Sequence, residues 1–66
     1  MKNNIKVERA RHNLTQAELA EKVGVSRQTI NSIETKKYDP SAVLALKIAS
    51  FFQIPFEELF QLEDDD

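Results

Sequence analysis

Between residues 26 and 36 the chain carries Ser26, Arg27, Gln28, Asn31, Ser32, Thr35 and Lys36, amides and hydroxyls that donate and accept hydrogen bonds together with two cations that only donate. At about 100° per residue on a helix, Gln28, Asn31, Ser32 and Thr35 share one face, with Arg27 at its margin. On the same count from Arg27, Ile30 and Ile33 point the other way, near roughly 300° and 240°. An ordinary solvated face is rich in Lys and Glu. This front is short amides and hydroxyls, and the two amides both donate and accept. That is the chemistry a helix needs to read base edges in a DNA major groove. The plain alternative is a solvated helix face with no partner.

Such a face works only if the elements around it hold it still. Thr15 and Glu18 form an S/T-x-x-E capping box, in which each side chain satisfies a free backbone N–H of the other. Leu19, Ala20 and Val23 follow at helical spacing. Gly24 stops that helix, because glycine takes the left-handed conformation at no steric cost. Ser26 is a good N-cap for the next helix. The stretch from Thr15 to about Lys36 therefore predicts two short helices joined by a tight turn.

Other chemistries find no support. Ser26, Ser32, Ser41 and Ser50 have one histidine, His12, in the whole chain to serve them. Glu57 and Glu58 are adjacent, so on a helix they diverge by about 100°. Gly24 is the only glycine, which rules out a glycine-rich phosphate loop. There are no cysteines, hence no disulfides and no thiolate metal site, and a cytoplasmic location fits. The expectation is a protein that is not an enzyme, with no metal, cofactor, small-molecule ligand or membrane span.

Sixty-six residues predict a single domain with a modest core, which another subunit can supplement. The net charge of −2 hides a division. Residues 1–50 hold all nine Lys and Arg against five acids, a balance of +4. Residues 51–66 hold six acids and no base, a balance of −6. A molecule divided this way turns its basic half toward phosphates. Residues 63–66 are expected to be a frayed, solvated acidic tail.

Outside residues 15–36 the pattern stays helical. Asn3 or Asn4 can cap a first helix that ends near His12 or Asn13; Asn tolerates the left-handed conformation needed for the stop. His12 is expected in a packed helix end. Pro40 and Ser41 open a further helix over about residues 42–53, with Leu44, Ala45, Ile48, Phe51 and Phe52 on a broad apolar face. Val43 and Leu46 fall outside that face, which predicts neighbours on two sides. Pro55 suits the first turn of a last helix, and Glu57 and Glu58 suit its positive end.

These residues carry a resemblance. Thr15-Gln16-x-x-Leu19-Ala20, Val23-Gly24-Val25-Ser26 and Thr29-Ile30-x-x-Ile33-Glu34 together resemble the helix-turn-helix of phage Cro and repressor proteins, the Xre-type family. The likeness runs from about Ile5 to Phe60, with Asn13 and Lys36 standing where the family usually has glycine. It implies an all-α fold, a compact five-helix repressor-like domain, with Gln61 and Leu62 paired as a short strand with Lys2 and Asn3. It implies an ion pair between Arg9 and Glu34. The expected function is that of a sequence-specific transcription regulator, a dimeric repressor occupying a palindromic operator in double-stranded DNA. Gln16 is expected to meet a phosphate, and Arg27 and Gln28 to enter the major groove with Asn31 and Ser32 deeper along the helix. Thr35 and Lys36 are expected near the far strand's backbone. The homodimer is expected to use some of Phe51, Phe56, Leu59 and Phe60. An antitoxin or phage-type immunity regulator is the alternative within DNA binding. A protein-interaction bundle without DNA is the alternative outside it.

Overall fold

The computed structural model describes residues 1–66, and three side-chain caps set its three longer helices. Helix α1 (Ile5–Arg11) follows a short strand β1 (Lys2–Asn3). Helix α2 (Gln16–Val23) starts at Thr15, whose hydroxyl accepts from the Glu18 N–H at 3.0 Å while the Glu18 carboxylate accepts from the Thr15 N–H at 2.9 Å. Helix α3 (Arg27–Glu34) starts at Ser26 and helix α4 (Ala42–Phe52) at Ser41, each serine accepting a backbone N–H three residues on. Helix α5 (Phe56–Leu59) is a single turn, and strand β2 (Phe60–Gln61) closes the chain's path.

Four helices end on left-handed backbone or just before it. Gly24 has φ +79°, and Asn13, Lys36 and Gln53 adopt the same region at φ +58°, +63° and +57°. Lys36 thus keeps the turn that glycine would have made easier. The turn is held by the Lys37 N–H, which donates to the Ser32 carbonyl at 2.9 Å. α1 uses the first of its two expected caps. Asn4 occupies its N-cap but makes no side-chain cap. Asn3 supplies that bond instead, its Oδ1 accepting from the Ile5 N–H at 3.2 Å. The Asn4 side chain donates to the Glu58 carbonyl at 2.9 Å, tying α1 to α5.

The core is one cluster to which every helix contributes. Ile5, Leu19, Ile30, Ile33, Ile48 and Leu59 are its largest fully enclosed side chains. Burying each contributes about 1.5–3 kcal/mol before the cost of ordering. α2 lies between α3 and α4, and α4 packs on α5. The ring of His12 closes one edge, 5.0 Å from the Phe52 ring, with its Nδ1 2.9 Å from the Glu8 carbonyl oxygen.

Three expectations need correcting. The antiparallel pairing joins Lys2 to Gln61 and Asn3 to Phe60, one residue earlier than expected. The strand begins at Phe60, which the core takes at 3% exposure, and Leu62 lies beyond the strand's end and is 79% exposed. Pro55 is the N-cap of α5 and not its first helical residue. Val43 and Leu46 are exposed, so α4 packs within the chain on one broad side only. No helix is long and apolar enough to cross a membrane.

Candidate nucleic-acid interface

Ile30 and Ile33 anchor α3 in the core and turn its other face outward. Arg27, Gln28, Asn31, Thr35 and Lys36 are exposed along that face, and Ser32 is half-buried between them. Ser26 belongs to the cap, its hydroxyl 2.9 Å from that of Thr29. Thr35 donates its hydroxyl hydrogen to the Asn31 carbonyl at 2.9 Å, so it closes the helix end as well as facing outward. The Cap–face–end arrangement places all of Ser26, Arg27, Gln28, Asn31, Ser32, Thr35 and Lys36 along one element and its turns.

Behind that face lies a polar network. Arg9 reaches from α1 and grips Glu34 with two parallel bonds, Nε to Oε2 at 2.7 Å and Nη2 to Oε1 at 3.0 Å. Its Nη1 donates to the Leu14 carbonyl at 2.9 Å. The side chains are shielded, 14% exposed for Arg9 and 6% for Glu34. The Glu34 hydrogen bonds hold the Arg9 guanidinium above its ordinary pKa, outweighing the opposing effect of burial. Glu34 also accepts from Gln16 Nε2 at 3.1 Å, and the same nitrogen donates to Asn31 Oδ1 at 3.1 Å. The expected phosphate ligand Gln16 therefore directs its side-chain donors into the protein.

Sequence reasoning missed three participants. Asn3 donates from Nδ2 to the Ile33 carbonyl at 2.9 Å, so β1 pins the C-terminal end of α3. Only the fold brings residues thirty apart together, and no local signal marks it. Glu63 holds Lys36, with Nζ to Oε2 at 3.1 Å. The Lys36 ammonium keeps the Glu63 carboxyl below its ordinary pKa. Glu63, expected to belong to a solvated tail, thus makes a contact with the end of the candidate face. Tyr38, 47% exposed, lines a shallow concavity with Ser26, Gln28, Thr29 and Ser32.

The residues expected to join two subunits divide. Leu59 is 0% exposed and Phe60 is 3% exposed, so both are spent on the chain's own core and offer no area to a partner. Phe51 and Phe56 are half-buried, packed on the edge of that core, with Phe56 5.3 Å from the Phe60 ring and Phe51 5.3 Å from the Phe52 ring.

Comparison with known proteins agrees with this geometry. Residues 5–59 match the family model described as helix-turn-helix. The chain is 61% identical over 66 residues to an uncharacterized HTH-type transcriptional regulator, MJ0272, of Methanocaldococcus jannaschii, covering all of both chains. It is 47% identical to YgzD of Bacillus subtilis, another uncharacterized HTH-type transcriptional regulator, again covering all of both. Among solved structures it is similar to the restriction-modification controller protein C.AhdI of Aeromonas hydrophila, with TM-score 0.79 and 30% identity over 86% of each chain. It is also similar to the N-terminal DNA binding domain of SinR from Bacillus subtilis, with TM-score 0.79 and 27% identity over 92% of this chain and 90% of that one. Matched over most of its length by the family model and end to end by two such regulators, this chain belongs to the Xre-like helix-turn-helix family of transcriptional regulators.

Proposed function

We propose that the protein is a sequence-specific DNA-binding transcription repressor, acting as a symmetric dimer on a palindromic operator. The observation that carries this reading is the outward face of α3, amides and hydroxyls with Arg27 and Lys36 at its ends, on a helix whose back is locked by Ile30, Ile33 and the Arg9–Glu34 pair. A protein-interaction bundle would put acidic or bulky apolar groups there. The DNA-binding domain of SinR and the controller protein C.AhdI, both similar in fold, support the same reading. Arg27 and Gln28 reach base edges at the N-terminal end of α3, and Asn31 and Ser32 lie deeper. Ser26, Thr35, Lys36 and the backbone N–H groups at the start of α2, Gln16 included, meet phosphates and fix the docking without specifying sequence. Two such helices in a dimer lie one turn of DNA apart, about 34–36 Å. Repression is then steric, since the bound dimer covers a site that polymerase needs.

The deciding residue is Gln28, exposed near the N-terminal end of α3. A glutamine amide bonds adenine N6 and N7 together, and such a pair discriminates by about 1–3 kcal/mol. Binding of Gln28→Ala is measured against every single-base variant of an operator selected from pooled genomic DNA. The expected outcome is lost preference at one symmetric pair of positions, with affinity for unrelated DNA nearly unchanged. Failure of the wild-type chain to select any fragment refutes DNA reading altogether.

A further inference from the structure

We propose that the acidic segment 63–66 is a built-in competitor for DNA: Glu63 holds the Lys36 ammonium that a backbone phosphate would take, so docking has to break that pair. The proposal rests on the DNA-binding function proposed above and adds a control on its strength.

The fold places this contact. β2 ends at Gln61, and its pairing with β1 carries the residues after it toward the end of α3. β1 is itself fixed to that helix end, since Asn3 donates to the Ile33 carbonyl at 2.9 Å. Residues 63–66 are all acids, and they close a turn on themselves. The Glu63 N–H donates to Asp66 Oδ2 at 2.8 Å, and the Asp66 N–H donates to the Glu63 carbonyl at 3.0 Å. On the other side, Lys36 stands two residues beyond α3 in the left-handed turn, at φ +63°. Its ammonium donates to both Glu63 carboxylate oxygens, at 3.2 Å and 3.1 Å. Glu63 Oε1 also lies 3.4 Å from the Met1 ammonium.

A carboxylate and a phosphate compete for an ammonium by the same chemistry, anionic oxygens accepting from N–H donors. Lys36 is exposed at the end of the face that α3 turns outward. A phosphate that reaches it displaces Glu63 and approaches against the charge of Asp64, Asp65 and Asp66, all exposed. That cost is the same on every sequence, because a phosphate contact carries no base identity. The segment therefore lowers affinity and leaves base preference alone. Its effect fades with salt, because exposed charges are screened beyond about 10 Å at 0.1 M. The opposite role, in which Glu63 holds Lys36 ready for DNA, predicts the opposite sign.

The test measures binding of the full chain to a random-sequence duplex and to a selected operator, at about 50 mM and about 200 mM salt. Wild type is compared with Glu63→Gln, Lys36→Gln and the double variant. Glu57→Gln is the control, since it removes the same charge from an exposed α5 residue outside the pair. Glu63→Gln should bind both DNAs about twofold to fivefold more tightly at the lower salt, the worth of an exposed ion pair expressed as a ratio. The gain should shrink at the higher salt, and the operator base profile should stay the same. In the Lys36→Gln background, Glu63→Gln should add nothing beyond the effect of Glu57→Gln, which also separates Lys36 from the Met1 ammonium. Weaker binding by Glu63→Gln overturns the proposal, because the carboxylate then supports docking. A gain no larger than that of Glu57→Gln overturns it too, as does one that survives in Lys36→Gln, since net charge alone then acts. A wild type that binds neither DNA at about 50 mM salt refutes the DNA-binding function itself.

Discussion

Glu34 accepts three hydrogen bonds from two helices while almost hidden from water, so one side chain ties α1 and α2 to the end of α3. An exposed ion pair stabilises by about 0–1 kcal/mol. Removing one partner of a buried pair costs about 3–5 kcal/mol, because the other charge is left without compensation. Arg9 and Glu34 lie between these limits and nearer the second. Glu34→Gln should lose about 2–4 kcal/mol in denaturant melts, a large part of what a domain of this size has. A loss under about 1 kcal/mol would put the pair with ordinary surface pairs. The same substitution replaces an acceptor-only carboxylate by an amide that also donates, so it no longer dictates which way the Gln16 amide points.

At the level of elements, the helices are bounded by strong starts and strained stops. Gln53 ends α4 at φ +57° with a side chain that is poorly suited to that region. Gln53→Gly should stabilise the chain by about 0.5–1 kcal/mol, seen as a raised melting temperature. Gly24→Ala should do the opposite by about 1–2 kcal/mol, although a methyl group there meets nothing within 4 Å. The cost comes from backbone conformation alone. The start of α2 gives a pH dependence. The Thr15 backbone N–H, and then its hydroxyl, hold the Glu18 carboxyl below its ordinary value of 4.5. A carboxyl depressed on folding contributes stability that is present above pH 4.5 and is lost as pH falls through the lower folded value. Melts of wild type and Glu18→Gln should therefore differ near neutrality and converge in acid; curves parallel throughout would deny the capping box that role.

For the whole molecule, the burial of Leu59 and Phe60 assigns both residues to folding. Leu59→Ala opens the centre of the core and should cost about 2–5 kcal/mol. Phe56 lies at the edge, half-buried on the α5 turn. Phe56→Glu should leave a folded chain that sediments as a monomer and binds operator DNA at least about tenfold more weakly, since a lone subunit reaches only one half-site. A dimer that survives Phe56→Glu would move the interface elsewhere. The division of charge acts at the same scale. The acidic end of the chain does not stay apart from the basic half, because Glu63 pairs with Lys36 in the turn after α3.

The sequence by itself determined the parts that depend on neighbours along the chain. Caps at Thr15, Ser26 and Ser41, the stop at Gly24, and the opposition of Ile30 and Ile33 to Gln28 and Asn31 are local rules of helix geometry, and the structure follows them. The family pattern added the Arg9–Glu34 partnership, which no local rule would pair across twenty-five residues. Tertiary structure alone decided the rest. Phe56 and Phe60 are alike in sequence, yet only the pairing of β1 with β2 turns Phe60 into the core and leaves Phe56 at its edge. Gln16 carries the same amide wherever it points. Its direction was settled by a carboxylate on another helix, which accepts hydrogen bonds and cannot give them.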